Sequence, residues 1–214
     1  MSYCYDDLPR ADILRLIPAE GRVIGSIGCG YASTEAVLVK EGREIHGVDV
    51  APEVQAIASS RLKSFHLIRA GEAIPWEPAS LDGLILADVL EHIPAAWDAL
   101  RQFATFVRPG GWVAISVPNM RSWEMFRHFM LRAGWPEKDT GMFDRTHIQM
   151  MSQRRLYRWC DSAGLSVEKV FDRYDPNGPR RRRFFKTLDW ATLRLFHDFL
   201  TYQVQCLCRR RESP

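Results

Sequence analysis

Val23-Ile-Gly-Ser-Ile-Gly-Cys-Gly-Tyr-Ala32 is the stretch whose reading decides the architecture. Val23 to Ile27 is a short, mostly apolar run stopped by glycines, which reads as a buried parallel strand, and Thr34 to Glu41 beyond the glycines reads as a helix. Working outward, Glu44 to Val50 is the next strand, Pro52 to Leu62 a helix with proline in its first turn, and Phe65 to Arg69 a third strand. Leu81 to Ala87 is a fourth strand, Ala95 to Val107 a helix closed by Arg108-Pro-Gly-Gly111, and Trp112 to Val117 a fifth strand. Such alternation calls for an open parallel sheet with helices on both faces. Arg121 to Ala133 then reads as a helix, Gly134 to His147 as a loop of the kind that lines a site, and Ser152 to Ala163 as a helix capped by Ser152 and ended at Gly164. Leu165 to Tyr174 is a strand, Phe184 to Leu200 a helix with Leu188, Ala191, Leu195 and Phe199 on one face, and Tyr202 to Cys208 a final strand antiparallel to its predecessor. The expected fold is α/β and doubly wound: a seven-stranded, mostly parallel sheet with helices on both faces and the last strand antiparallel.

The chain of 214 residues suits one domain with an embellishment. Residues 1–20 read as a leading helical segment, with Leu8, Ala11, Leu14 and Ile17 at helical spacing, and residues 175–201 as a basic, amphipathic insert before the last strand. The net charge of +3 is unevenly spread: from Arg173 onward ten Lys/Arg stand against four Asp/Glu, or +6, which leaves −3 for everything before. That excess, at Arg180 to Arg183 and Arg209 to Arg211, marks either a solvated face or a contact with an anionic substrate, lipid surface or nucleic acid. No stretch of eighteen apolar residues occurs, and Tyr3, Asp6, Asp7 and Pro9 stand where a signal peptide needs a basic start and an apolar run; the expected location is cytoplasmic. Cys4, Cys29, Cys160, Cys206 and Cys208 are odd in number and lack a CxxC pair, which fits reduced thiols and not structural zinc.

In an open α/β sheet, ligands bind beyond the carboxyl ends of the strands, so the residues after each strand are where chemistry is sought. After the first strand, Gly28-Cys29-Gly30-Tyr31-Ala32 lets the backbone turn tightly and bring N–H groups to a ligand at a helix start. After the second, Asp49 stands where a carboxylate accepts hydrogen bonds from two ribose hydroxyls. These two features alone also describe nicotinamide dehydrogenases.

Read together, Ile24-Gly-Ser-Ile-Gly-Cys-Gly-Tyr-Ala32, Gly47-Val-Asp-Val50, Gly71-Glu-Ala73, Ala87-Asp-Val-Leu-Glu-His-Ile93, Arg108-Pro-Gly-Gly111 and Val117-Pro-Asn119 resemble class I S-adenosylmethionine-dependent methyltransferases. The similarity spans about Gly21 to Tyr174 and is greatest to the branch with ubiquinone-biosynthesis O-methyltransferases and polysaccharide-cluster methyltransferases. It implies a Rossmann-like fold and S-adenosylmethionine as cofactor. By the same resemblance, the turn Gly28, Cys29, Gly30 and Tyr31 contacts the methionine portion, Asp49 the ribose, and Glu72 with the Ala73 amide the adenine edge, with Val50 and Gly71 as further cofactor-binding residues, and Asp88 and Val89 close over the cofactor near its sulfonium. Two departures stand out. Ser26 replaces the usual acidic residue and Ala32 the third glycine, so a catalytically degenerate cofactor-binding protein is one alternative; a nicotinamide-dependent oxidoreductase, which shares the glycine turn and the ribose acid, is another.

Methyl transfer to a hydroxyl needs alignment of the acceptor and removal of its proton, a task suited to histidine. His92, in Glu91-His92, and His147, ending Phe143-Asp-Arg-Thr-His147, are the two candidates, with His147 favoured as base. Asp88, Glu91, His92 and His147 also form a set that a divalent metal can use, although no residue is assigned as a metal ligand. His46, His66, His128 and His197 read as structural or surface residues. Trp123, Phe126, Phe129, Trp135 and Phe143 read either as core or as a wall for a sugar or aromatic acceptor. The expected partner is a small-molecule or glycan acceptor and no nucleic acid. A peripheral membrane contact through the basic tail, and a monomer or homodimer, complete the expectation.

Overall fold

The computed structural model describes residues 7–131, 134, 136–174 and 178–212. Its strands are β1 (Val23–Ile27), β2 (Glu44–Asp49), β3 (Ser64–Leu67), β4 (Leu81–Ala87), β5 (Val107–Pro118), β6 (Leu165–Tyr174) and β7 (Thr201–Arg210), in the order β3-β2-β1-β4-β5-β7-β6. The first five are parallel. β7 runs antiparallel to both β5 and β6 and is inserted between them, which leaves β6 on the edge. This is the open, mostly parallel sheet the sequence pattern calls for.

Alternation along each strand builds two cores. Leu84 and Leu86 of β4, with Val113 and Ile115 of β5, pack with Leu100 and Phe103 of α4 (Ala96–Phe106) and Leu156 and Trp159 of α6 (Gln153–Ser162). Ile85, Trp112 and Ala114 point the other way, toward Ile13 of α1 (Ala11–Leu14), Leu38 of α2 (Ser33–Lys40) and Ala58 of α3 (Gln55–Arg61). A strand covered on both faces reads as an unbroken apolar run, and β4 is buried from Gly83 through Leu86 for that reason.

Departures from expectation gather outside the central strands. The leading helix is a single turn, α1, and residues 1–6 lie outside the described ones. Arg108 to Gly111 do not close a helix. They lie inside β5, where the register passes from Leu81 opposite Val107 to Gly83 opposite Trp112 and the intervening residues bulge. The expected helix from Arg121 is only α5 (Trp123–Phe126), capped by Ser122 and continued as a π turn over Arg127–Leu131; Ala133 lies outside the described residues. The expected helix from Phe184 to Leu200 starts earlier, at Pro179, whose fixed φ suits a first turn, and is split into α7 (Pro179–Ala191) and α8 (His197–Leu200). The split falls at Leu193 and Arg194, both left-handed. Its cause is Asp189, a buried carboxylate that accepts from the Tyr174 hydroxyl and meets His197 Nδ1, each at 2.8 Å. That anchor and Phe185 set the inward face, and Leu188, Ala191 and Leu195 are left exposed.

Candidate active site

The loops leaving β1 and β2 are stitched together. The Gly28 amide donates to Val48 O at 2.8 Å and the Gly30 amide to Asp49 Oδ2 at 2.8 Å. Asp49 Oδ1 accepts from the Val50 and Ala51 amides at 2.7 and 3.0 Å. The Asp49 carboxylate, buried to 2% exposure, is therefore the post around which both loops turn. Gly28 has φ +66°, and a Cβ there would lie 2.7 Å from Val89 Cγ2, so the loop after β4 abuts the same turn. Ala32 is also left-handed, at φ 57°, which costs about 1–2 kcal/mol for a residue with a Cβ and explains why glycine suits this position.

Two residues beyond Val89 lies the histidine group. Glu91, His92 and His147 place one ligand-type atom each within 4.8 Å of one another. His147 Nδ1 faces the Met142 carbonyl at 3.2 Å, and since a carbonyl only accepts, the proton sits on Nδ1 and the Nε2 lone pair is directed inward, 3.9 Å from Glu91 Oε1. His92 Nδ1 meets the Thr146 hydroxyl at 2.9 Å, and that hydroxyl donates to Asp144 Oδ1 at 2.6 Å. Burial lowers the pKa of both imidazoles, for His147 with a further contribution from His92 beside it, and holds them neutral near pH 7. Glu91 is fully buried, and burial, then the charge of Asp88, pushes its carboxyl well above the usual range. Neither Glu91 oxygen has a hydrogen-bond partner among the described residues.

Compared with known proteins, the family model for a methyltransferase domain matches residues 5–170. The chain belongs to the class I S-adenosylmethionine-dependent methyltransferases. A ubiquinone biosynthesis O-methyltransferase of Paracidovorax citrulli is 29% identical over 167 residues, 71% of this chain and 66% of that protein, just under two thirds of its length. One from Leptothrix cholodnii is 24% identical over 177 residues, 79% of this chain and 74% of that one. The crystal structure of a SAM-dependent methyltransferase from Archaeoglobus fulgidus superposes with a TM-score of 0.68 over 93% of this chain and 91% of that one, at 17% identity, a likeness of fold.

In this methyltransferase only some of the expected cofactor residues come together. Gly28, Gly30, Asp49 and Val89 are in mutual contact through the bonds above, and Val50 lies on the exposed rim beside them. The Cys29 thiol instead packs under the turn, where a Cβ on Gly47 would lie 2.9 Å from it, and the Tyr31 carbonyl accepts from Arg61 Nη1 at 2.8 Å. Gly71, Glu72 and Ala73 are exposed, and Glu72 Oε2 accepts from the Arg69 amide at 2.8 Å, closing its own turn. A Cβ on Gly71 would meet nothing within 4 Å, so this turn faces open space. Asp88 is left-handed and accepts from Arg10 Nη1 at 2.7 Å, Ser116 Oγ at 2.9 Å and Gln203 Nε2 at 3.0 Å. It does not join the group of Glu91, His92 and His147.

One buried residue beside the glycine turn escapes the sequence reading. Ser26 stands where an acid is usual, and its hydroxyl donates to Glu35 Oε1 at 2.7 Å, so a buried carboxyl reaches the same place from the first turn of α2. Burial, with Asp49 acting in the same direction, raises the Glu35 pKa. The only signal was an acidic residue in the helix that follows the glycine turn. The aromatic wall does not form as one surface: Phe143 is buried with Met125 and Met142, Trp123 and Phe126 pack on Phe199, Phe129 is exposed, and Trp135 lies outside the described residues. A surface groove of about 840 Å³ between the start of α4 and α6, lined by Trp97, Arg154, Arg158 and Trp159, contains none of the candidate site residues.

Proposed function

We propose that this methyltransferase moves a methyl group from S-adenosylmethionine to a hydroxyl of a small acceptor, a glycan included, with His147 as general base. The observation that carries this reading is the His147 tautomer: Nδ1 is held by the Met142 carbonyl, burial keeps the ring neutral, and Nε2 is left to take a proton. The cofactor supplies a methyl carbon already activated by positive sulfur. The turn at Gly28 and the Asp49 post present an ordered rim for it, and Val89 links that rim to the histidines. As the acceptor oxygen bonds to the methyl carbon and the carbon–sulfur bond breaks, the hydroxyl proton passes to Nε2, and S-adenosylhomocysteine leaves. The similarity to ubiquinone biosynthesis O-methyltransferases supports oxygen as the atom methylated. The test is calorimetric titration with S-adenosylhomocysteine and, separately, NADH, followed by transfer of labelled methyl to a panel of hydroxyl acceptors. Heat with the first ligand alone is expected. Heat with NADH alone would favour an oxidoreductase, and binding without transfer a degenerate site.

A second reading is favoured by the Glu91 oxygens, which have no hydrogen-bond partner among the described residues. Glu91, His92 and His147 fit a divalent cation of the kind that accepts mixed oxygen and nitrogen ligands, and the Met142 and Thr146 contacts orient both rings as outer partners do in metal sites. Such a cation supplies Lewis acidity that makes an acceptor hydroxyl easier to deprotonate. A rise in melting temperature on adding Mn²⁺ or Zn²⁺, abolished in Glu91→Gln, is the expected sign. No shift in the parent protein removes this reading and leaves the first.

A further inference from the structure

We propose that the lobe made by α5, its π turn, α7 and α8 docks on an anionic membrane surface and that the methyl acceptor is delivered from that surface; only the second part rests on the function proposed above. The lobe displays large apolar side chains outward: Leu193 is 91% exposed, Trp190 and Leu195 79%, Met130 68%, Leu131 65% and Phe184 61%. Single exposed apolar residues are ordinary, but six large ones carried by these few short segments mark an interaction surface. The left-handed pair Leu193 and Arg194 makes the turn from which Leu193 and Leu195 project, held by Arg194 N to Asp189 O at 2.8 Å. Phe199 joins the two halves, its ring centroid 5.6 Å from Trp123 and 5.5 Å from Phe126.

Charge identifies the partner. Arg180, Arg182, Arg183 and Lys186 are exposed on α7, and Arg183, Lys186 and Trp190 fall at helical spacing on the side away from buried Phe185 and Asp189. The acids nearby are consumed: Asp189 is buried against Tyr174 and His197, Asp198 pairs with Arg121 at 2.9 Å, and Glu124 with Arg127 at 2.6 Å. Basic residues flanking an exposed tryptophan and leucines are what an interfacial helix needs, the cations meeting anionic headgroups and the apolar chains entering below them. With 13 residues α7 can lie in the surface, and among the described residues no helix is long and apolar enough to cross a membrane. A second copy fits less well, because a two-fold interface would set these cations against themselves. The lobe also reaches the site. Asn119 Nδ2 donates to Asp198 O at 2.6 Å and Thr201 O at 3.0 Å, and Met142, whose carbonyl holds His147, packs with Met125 and Tyr202.

The experiment is flotation of the full chain with vesicles of phosphatidylcholine alone and of phosphatidylcholine with phosphatidylglycerol. Binding to the second, released by salt, is expected. Leu193→Glu/Leu195→Glu and Arg180→Gln/Arg183→Gln/Lys186→Gln should each lower the bound fraction by about tenfold or more, with unchanged melting temperature and unchanged S-adenosylhomocysteine titration. Failure to float, equal flotation of parent and variants, equal binding to both vesicles, or a homodimer that Leu193→Glu/Leu195→Glu dissociates would each overturn the docking. Flotation without S-adenosylhomocysteine binding would leave the docking in place and sink the functional reading instead.

Discussion

Replacing Asp49 by Ala separates two roles that the residue type alone leaves merged. The side chain accepts from three backbone amides, those of Gly30, Val50 and Ala51, and it is buried. Each amide left without a partner costs roughly 1–3 kcal/mol, so the gross loss is about 3–9 kcal/mol. Water entering the vacated space and relief from burying a carboxylate offset part of it, which places the net loss near the lower end, about 3 kcal/mol. In a protein of this size that is a fall of about 6–12 °C in melting temperature, measured without cofactor. Asp49→Asn keeps one accepting oxygen and should lose about half as much. Were Asp49 solely a ribose acceptor, S-adenosylhomocysteine affinity would collapse while the ligand-free melting temperature stayed put; a ligand-free shift under about 2 °C for Asp49→Ala would refute the role as a post.

His147→Ala should cut turnover by about a hundredfold or more with S-adenosylhomocysteine affinity little changed, and equal turnover would remove the proposed base. Because burial lowers the His147 pKa, the midpoint of the acid-side fall in kcat/KM should lie below pH 6.5; a midpoint above 6.5 contradicts this. His197 behaves oppositely, its pKa raised first by the hydrogen bond to Asp172. Its contribution to stability is full below pH 6.5 and is lost as pH rises through the raised value, so urea melts of the parent and His197→Gln should converge in alkali, and a constant gap would be inconsistent. For Ala32→Gly, relief of about 1–2 kcal/mol of strain is set against about 0.8 kcal/mol for a buried methyl and about 0.5–1 kcal/mol of chain entropy. The net should lie within about 1 kcal/mol of zero, and a loss above about 2 kcal/mol in urea melts would mean that the methyl's packing dominates.

What was legible in the sequence is what depends on neighbours along the chain. β4 and the centre of β5 declare themselves because burial on both faces leaves no polar position from Gly83 to Leu86. The meeting of Gly28, Gly30 and Asp49 follows from strand ends that must lie side by side. What was illegible depends on partners distant in sequence. Arg108-Pro-Gly-Gly111 carries the same turn chemistry whether it stops a helix or bulges a strand, and only the register against Leu81 and Gly83 decides. The break after α7 is dictated by Tyr174 and His197 converging on Asp189, which no periodicity records. Glu35 is invisible as the partner of Ser26 until the helix folds back on β1, and so is Arg10 as the partner of Asp88, 78 residues away in the chain.

The insertion of β7 between β5 and β6 has a consequence for biosynthesis. A nascent chain that has emerged only through β6 has nowhere to put that strand, and the whole flank of β5 offers bare amides and carbonyls to any passing polypeptide. The seventh strand in chain order is thus the keystone: until Cys206 and Cys208 drop into the core, β6 is a lone ribbon awaiting a partner, and chaperone dependence should rise with every delay in translating that stretch.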